Sequence, residues 1–593
     1  MDTMSELENN NYFVKYTLRK YLAPTIISIL GTTMITFVNS LLTGNMYGKE
    51  ALAAMNLINP ITFIFAMFGC LISIGSSTSV SIALGKEDDT QAGAYTSLAL
   101  VLSILVPVIF SAAGILFFRP FLGFLGVTGE WYPIAAGYGR VVLLGGVFTT
   151  FMYYPFNFLR VDGRAQYSMM IFGIMGVLDL IFVMLFHWLG LGLVGVGLAV
   201  VLSMALADAL GMGILLFGKG RQLHFGAITH PIADSIEICR CGAASALNNL
   251  CNMLRTIVLN SLVLSSLGAD GASMFAVACS VLNFATAFVA GAGQAVSPIV
   301  GVFYGEKDDV SIRMLMKSAV RYALILMGAL FVVTSLFSIP LAYAFGITTN
   351  PLRNTTALAI CLIMLSLIPA AIANDLIFLY TTIGQRLLAS ILTFLRSFGF
   401  VALFAWMFVA LGIPQWILVA FVLGEIFTLL ADVPLTRIIC KMNPKVDGIL
   451  LLRHPEHEQY VSFSVPGNAE GAVMASARMS QFCEEQELDP RYEMMLPLAL
   501  EEILVLLNEH CLNEDAGMYA DVRILCNEDE VLLRIRCGGK IYDPVADYKE
   551  RTRDMSEEDL LMDDSLGMRM ITEAAKSVTF RRTLGVNNLV VIL

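Results

Sequence analysis

Gly85-Lys86-Glu87-Asp88-Asp89 and Gly305-Glu306-Lys307-Asp308-Asp309 are two versions of one loop, set 220 positions apart. At the same gapless offset, GKEALAAMN at 48–56 recurs loosely as GADGASMFA at 268–276, and Gly163-Arg164 returns as Gly384-Gln385 at nearly that spacing. Glycine beside charge ends many helices, so a single pair of this kind could be chance. Two pairs at one offset point to an internal duplication.

Each copy of the loop lies between long apolar stretches. Runs of about 20 apolar residues, enough to cross a bilayer as a helix, fall near 23–43, 57–84, 95–118, 132–158, 168–188, 190–217, 239–266, 272–303, 317–345, 354–382, 388–411 and 414–437. They lack the alternation of barrel strands and so read as helices. The repeat divides them into six and six, and an even number per half gives both halves one topology, related by an axis along the membrane normal. Lys15, Arg19 and Lys20 precede the first span. Lys86, Arg160 with Arg164, Lys219 with Arg221, Lys307 with Arg313, Arg386, and Lys441 with Lys445 occupy every second loop thereafter, against Lys49, Arg119 and Arg353 on the other side. The positive-inside rule therefore places both ends in the cytoplasm, in a protein of the cell (inner or plasma) membrane.

Composition agrees. The 593 residues are 57% hydrophobic and 14% charged, with mean hydropathy +0.73, whereas a soluble domain is about 25% charged. The net charge of −11 is unevenly spread: beyond Lys445, fourteen basic residues stand against twenty-eight acidic ones. The expected organisation is a first lobe at 1–220, a second at 221–445 and an acidic cytoplasmic domain at 446–593. With no basic stripe to neutralise phosphates, nucleic acid is excluded as a partner. The 11 cysteines are scattered, with no paired CxxC, and read as small apolar residues rather than a metal site or disulfide framework. The polar, acidic start MDTMSELENN does not read as a cleavable signal peptide.

Three motifs carry a family resemblance: ALAAMNLINPI at 51–61, FLRVDGRAQYSMM at 158–170 and GQAVSPIVGVFYGEKDD at 293–309. With the six-plus-six helices, the chain over roughly 15–440 resembles MATE-type multidrug and toxin extrusion transporters. That resemblance implies an all-α fold of two six-helix bundles around a central cavity. It also implies exchange of a drug or metabolite for protons or sodium by rocking between outward and inward states.

Charges inside a bilayer are costly and invite functional readings. The family's first-helix acid falls at Asn39, an amide that can ligate a cation but release no proton. Its fifth-helix Asn-x-x-x-Asp pattern falls on Asp179 and Val183, one turn apart on one face, so the carboxylate is displaced by about 6 Å. Asp179 with Asp208 and Asn39 is the expected cation or proton site of the first lobe. The alternative is that Asp179 only hydrogen-bonds a neighbouring helix in protonated form, and that Asn39 is a packing amide. In the second lobe, Glu425 sits where the family commonly has a twelfth-helix glutamate, and Asp375 resembles a tenth-helix acid shifted by about a turn. Asp432 is a further acid, and Arg255 either salt-bridges one of these acids as a purely structural cation or serves the site. The seventh-helix acid of some members is replaced by Asn248 and Asn249. His187 reads as interfacial. The linker from Lys219 to Thr229, with Gly220 and Gly226, reads as a flexible connector between the lobes.

After Lys445 the pattern becomes alternating strands and amphipathic helices, an α+β two-layer sandwich of about 140 residues. LALEEILVLLNEHC at 498–511, GGKIYDP at 538–544, SLGMRMI at 565–571 and VTFRRTLGVNNLVVIL at 578–593 resemble blocks of the GHKL-type ATPase domain of anti-sigma-factor serine kinases. The resemblance assigns cofactor contacts to Glu502, to an Asn one turn on that is here Leu506 (Asn508 comes two residues late), to an adenine-reading Asp that is here Cys537, and to Gly539 and Gly567. Asp564-Ser565 stands where a cradle glycine is expected. These losses imply a degenerate domain to which ATP and magnesium are not expected to bind, unless through altered contacts.

The combined expectation is a cation-coupled (H+ or Na+) antiporter, not an enzyme. Its partners would be small organic substrates, cationic ones included, membrane lipid, and a cytoplasmic protein contacting the regulatory domain. The alternatives are a transport-dead sensor signalling through that domain and a flippase for lipid-linked precursors.

Overall fold

The computed structural model describes residues 12–124, 131–218, 223–345, 347, 350–444, 446–453, 459–512, 519–526, 531–553 and 566–593. The chain forms two compact units: Lys20–Arg453, and Met1–Arg19 together with His454–Leu593.

The larger unit is helical. Its first half holds α1 (Tyr12–Gly69), which carries the first expected span and leads through a π-helical turn at Cys70–Ile74 into α2 (Gly75–Gly85), then α3 (Asp89–Leu116), α4 (Phe118–Phe124), α5 (Trp131–Phe151), α6 (Tyr153–Val161), α7 (Ala165–Trp188) and α8 (Gly192–Phe217). Its second half holds α9 (Pro231–Gly305), α10 (Asp309–Leu336), α11 (Ser338–Ala344), α12 (Asn350–Leu365), α13 (Leu367–Thr382), α14 (Arg386–Phe394), α15 (Phe400–Ala410) and α16 (Val419–Met442). A two-residue pairing of β1 (Val446–Asp447) with β2 (Leu452–Arg453) closes it. α9 joins two spans by turning at Gly268, where φ is +68° and ψ −163° and a Cβ would be strained. Among the described residues, 11 helical segments are long and apolar enough to cross a membrane. Their outward faces carry Leu116, Trp188 and Phe217, 77–87% exposed, a surface suited to lipid rather than water.

The repeated loop does the same work twice. Asp88 caps α3 by accepting the Gln91 N–H at 2.9 Å, and Asp308 caps α10 by accepting the Ser311 N–H at 3.0 Å. Glu87 and Lys307 hold the left-handed backbone before each cap, φ 63° and 57°. Gly85 and Gly305 end the preceding helices against each other: a Cβ on Gly85 would lie 2.9 Å from the Gly305 Cα, and one on Gly305 2.7 Å from the Gly85 Cα. The same crossing puts Gly301 against Ser81. Ser81-x-x-x-Gly85 thus meets Gly301-x-x-x-Gly305 in the small-residue packing by which membrane helices approach closely.

The connector differs from expectation. Residues 219–222 lie outside the described residues, but from Leu223 onward the chain is pinned to the first half. Leu223 N–H donates to Asp162 at 2.9 Å, and Gly226 exchanges hydrogen bonds with the Ser97 hydroxyl at 3.1 and 2.8 Å. Glycine content suggested flexibility; the distant acceptors that remove it have no local signature.

The smaller unit is a five-stranded antiparallel sheet in the order β3-β4-β5-β7-β6, formed by β3 (Gln459–Pro466), β4 (Tyr519–Cys526), β5 (Val531–Cys537), β6 (Ser577–Thr583) and β7 (Val586–Ile592). Phe463 pairs with Val522, and Ile535 with Leu589. α17 (Ala469–Glu485), α18 (Pro490–Leu507) and α20 (Leu566–Ala574) supply Met479, Leu500, Ile503 and Met568 to one core with these strands, while α19 (Pro544–Thr552) adds Val545 and Tyr548. The first turn of α1 belongs here. Phe13 N–H donates to Asp521 at 3.1 Å, Tyr12 N–H to Ser464 at 3.3 Å, and the Arg536 guanidinium lies 5.7 Å from the Phe13 ring. Two of the amides left over at a helix start are thus satisfied by side chains of β3 and β4.

Candidate functional site

α7 buries one stripe, Ser168, Ile171, Phe172, Met175, Asp179 and Val183, at the three-to-four spacing of a helix face turned inward. Asp179 is 1% exposed. Its hydrogen-bond neighbours are Asn39 of α1 and Ser203 of α8, and Tyr138 of α5 is close by. Among the described residues, one Asp179 carboxyl oxygen and the Asn39 carbonyl oxygen have no hydrogen-bond partner. Helices α1, α7 and α8 therefore converge on a carboxyl group with spare oxygen ligands, a donor set that suits a proton or a hard monovalent cation. Asp208, on α8 with Ser203, is five residues on and so about 140° around the helix. It is buried, neither carboxyl oxygen has a protein partner, and among the described residues no hydrogen bond ties it to Asp179. The structure brings Asn39 and Asp179 together; among the described residues Asp208 is not hydrogen-bonded to either.

The second half contains an element the sequence reading missed. A π-helical turn at Leu395–Gly399 holds Arg396, whose Nε lies 2.9 and 2.7 Å from the two oxygens of Glu425 on α16 and whose Nη1 donates to Asn374 of α13 at 3.1 Å. Asn374 in turn donates to the Val289 carbonyl of α9 at 3.0 Å. The expected bond between Arg255 and an acid is corrected: the Arg255 guanidinium sits 5.2 Å from the Phe421 ring, and Glu425 is paired with Arg396. The sequence carries a signal for it, one arginine inside the apolar run 388–411. Asp375 is fully buried beside Asn374, and among the described residues neither carboxyl oxygen has a hydrogen-bond partner. Ser397 donates to Asn248 at 2.6 Å. Asp432 accepts from Tyr380 at 2.9 Å, and His187 meets the Tyr47 hydroxyl at 2.9 Å in the last turn of α7.

Where the halves meet, Arg160 of α6 is 1% exposed. It donates through Nη1 to Gln294 of α9 at 3.1 Å and lies over the Phe156 ring at 3.5 Å, while among the described residues Nε and Nη2 have no partner. The adjoining cavity, lined by Ser77, Asn157 and Ser297, is about 10 Å³, too small for any organic cargo. Among the described residues there is no group of three His, Cys, Asp or Glu placed to hold a metal ion.

In the smaller unit, Glu502 Oε2 accepts the Gly567 and Met568 N–H groups at 2.8 and 3.1 Å and so occupies the start of α20 itself. A Cβ on Gly567 would lie 2.8 Å from the Ala499 Cα. Cys537 is buried beside Cys511 and Asn587, and its hydrogen bond with Cys511, with burial second, pushes its thiol well above the ordinary range. Gly539, at φ +92°, passes so close to the Cys511 carbonyl that no side chain fits. Leu506 packs against the core and Asn508 begins the π-helical turn Asn508–Leu512. Asp564 and Ser565 lie outside the described residues.

Two related helical halves, meeting at a reciprocal glycine contact and each burying ionisable groups, define a multi-pass membrane transporter of two bundles. The MatE family model matches residues 24–185 and 244–407, segments that begin at the same offset as the repeated loop. The chain belongs to this family. It is 24% identical over 334 residues to an FAD transporter of Shewanella oneidensis, covering 55% of this chain and 72% of that one. It is 22% identical over 317 residues to the multidrug export protein MepA of Staphylococcus haemolyticus, covering 52% and 68%. Among solved structures, MATE in complex with MaL6 superposes with TM-score 0.67 at 21% identity, covering 73% of this chain and 98% of that one. The outward-facing conformation of a multidrug resistance MATE family transporter gives 0.68 at 21%, covering 72% and 96%. These two structures establish the shared fold.

Proposed function

We propose that the protein is a cation-coupled antiporter, using H+ or Na+, that exports small organic molecules across the plasma membrane, with both termini cytoplasmic. The observation that carries this reading is Asp179, buried at the convergence of α1, α7 and α8 with Asn39 as a neutral co-ligand. A carboxyl group in that setting gains or loses its cation only when one face is hydrated, which makes occupancy depend on conformation. The contact at Gly85 and Gly305, beside the Lys86 and Lys307 loops, is then the closed cytoplasmic side of an outward-facing state, and the halves rock about it. The Arg396–Glu425 pair, neutral as a unit, acts as a rigid wall of the second half.

The printed activities of the relatives, FAD transport and multidrug export, support a small organic cargo. A second reading, cargo bearing an anionic group, is favoured by Arg160, whose two unpaired guanidinium nitrogens become available when the halves part. The acidic C-terminal unit is read as regulatory. Glu502 holding the α20 amides and Cys537 in place of a carboxylate support a nucleotide site that has become a protein-docking surface.

The test is substrate-driven counterflow. Proteoliposomes with an imposed proton or sodium gradient should show cargo efflux coupled to cation entry. Cargo movement indifferent to both gradients would sink the coupling.

A further inference from the structure

α5 carries an arginine where a bilayer tolerates one poorly. Arg140 is the tenth residue of α5 and lies inside the candidate span Ala136–Val161, yet it faces outward and is exposed. Its guanidinium reaches back to within 5.2 Å of the ring of Phe118, the first residue of α4, which Arg119 follows. Among the described residues neither arginine has a carboxylate partner. Together with Tyr132 they line a cavity of about 570 Å³ whose remaining wall is apolar, including Leu116 and Leu144, 77% and 62% exposed.

We propose that this cavity binds an anionic phospholipid, its phosphate held between Arg119 and Arg140 and an acyl chain laid along Leu116 and Leu144. Two guanidinium groups without a carboxylate partner among the described residues, at the margin of the hydrocarbon, favour an anion, and a lipid phosphodiester is the anion always present at that depth. Arginine suits it, since its planar fork meets phosphate oxygens in pairs while its stem crosses apolar surface. A soluble phosphate would satisfy the guanidinium groups but leave the leucine wall without a partner. The site lies on the loop side opposite Lys86 and Lys307, so the lipid belongs to the leaflet facing away from the cytoplasm. It is separate from Asp179 and from the junction at Arg160.

The experiment is native mass spectrometry of the full-length protein released from phosphatidylcholine nanodiscs doped with phosphatidylglycerol. Wild type should retain phosphatidylglycerol in preference to phosphatidylcholine, and each arginine removed (Arg119→Ala, Arg140→Ala) should lower that preference about fivefold. Arg140→Lys should keep most of it, and an unchanged melting temperature in pure phosphatidylcholine confirms that each variant folds. Equal retention of the two lipids by wild type, or an unchanged preference in both alanine variants, would overturn the proposal. So would displacement of the lipid by inorganic phosphate, which would mark a site for soluble anions.

Discussion

Gly85 and Gly305, 220 positions apart in sequence, touch backbone to backbone, and each fills the space that a side chain on the other would need. The clash is symmetric: a Cβ on Gly85 would strike the Val302 carbonyl, and one on Gly305 the Ile82 carbonyl, again residues 220 apart. The duplicated loop is therefore also a place where the two copies meet, through direct backbone contact.

Replacing Gly305 with alanine should prop this end open. Cys241 reports it, being 1% exposed with its sulfur 3.6 Å from the Ser79 hydroxyl of α2 across the junction. Maleimide labelling of Cys241, read by peptide mass spectrometry, should accelerate at least about tenfold in Gly305→Ala, the gain expected when about 1.4 kcal/mol of closure is lost. Labelling as slow as wild type would show that the glycine contact does not hold the halves together.

Arg396 and Glu425 should be costly to separate. Arg396→Ala or Glu425→Gln leaves a buried charge unpaired, and the expected loss is about 3–5 kcal/mol in a detergent melt. The double variant Arg396→Met with Glu425→Leu should recover much of it, because no orphan charge remains. A double variant no better than the sum of the singles would contradict the pairing.

The C-terminal unit should bind Mg-ATP weakly or not at all. Leu506 offers no metal ligand and Cys537 no adenine acceptor, and losses of about 1–3 kcal/mol each weaken binding by roughly a hundredfold or more. Calorimetry on the full chain reads this, and a low-micromolar dissociation constant would restore a nucleotide-responsive exporter.

Acidification should tighten that unit. Burial, opposed by the Ser464 hydrogen bond and the charges of Arg536 and Arg523, pushes the Asp521 carboxyl up to about 6, against about 3.9 in an unfolded chain. Between those values the folded state holds a proton that the unfolded state has lost, so stability falls as pH rises through about 4 to 6 and grows as pH is lowered. Hydrogen-exchange protection of β3 and β4, corrected for intrinsic rates, should follow that slope, and Asp521→Asn should flatten it. Protection that rises with pH across the window would refute the assignment.

Much of this was legible in the chain because period and punctuation are local. Apolar runs gave the spans, and the Gly-charge-Asp loop gave the duplication. Asp179 was visible as a carboxylate in a run of Leu, Ile and Phe. What the sequence could not reveal depends on distant partners. Arg396 takes Glu425 because a π-helical turn aims it there, and no spacing rule marks such a turn. Asp208 comes five residues after Ser203, about 140° around the same helix, and among the described residues no hydrogen bond joins it to Asp179. The first turn of α1 joins the C-terminal sheet through Asp521 and Ser464, more than 450 positions away, a pairing that neither segment announces.

The central claim is that Asp179 carries the coupling ion, and one substitution tests it most directly. Asp179→Asn keeps size and hydrogen bonding but removes the titratable group. In proteoliposomes it should fold and bind cargo while cation-driven transport falls at least about tenfold, and Asn39→Asp should shift the pH dependence of transport rather than abolish it. Full gradient-driven transport in Asp179→Asn would contradict the account.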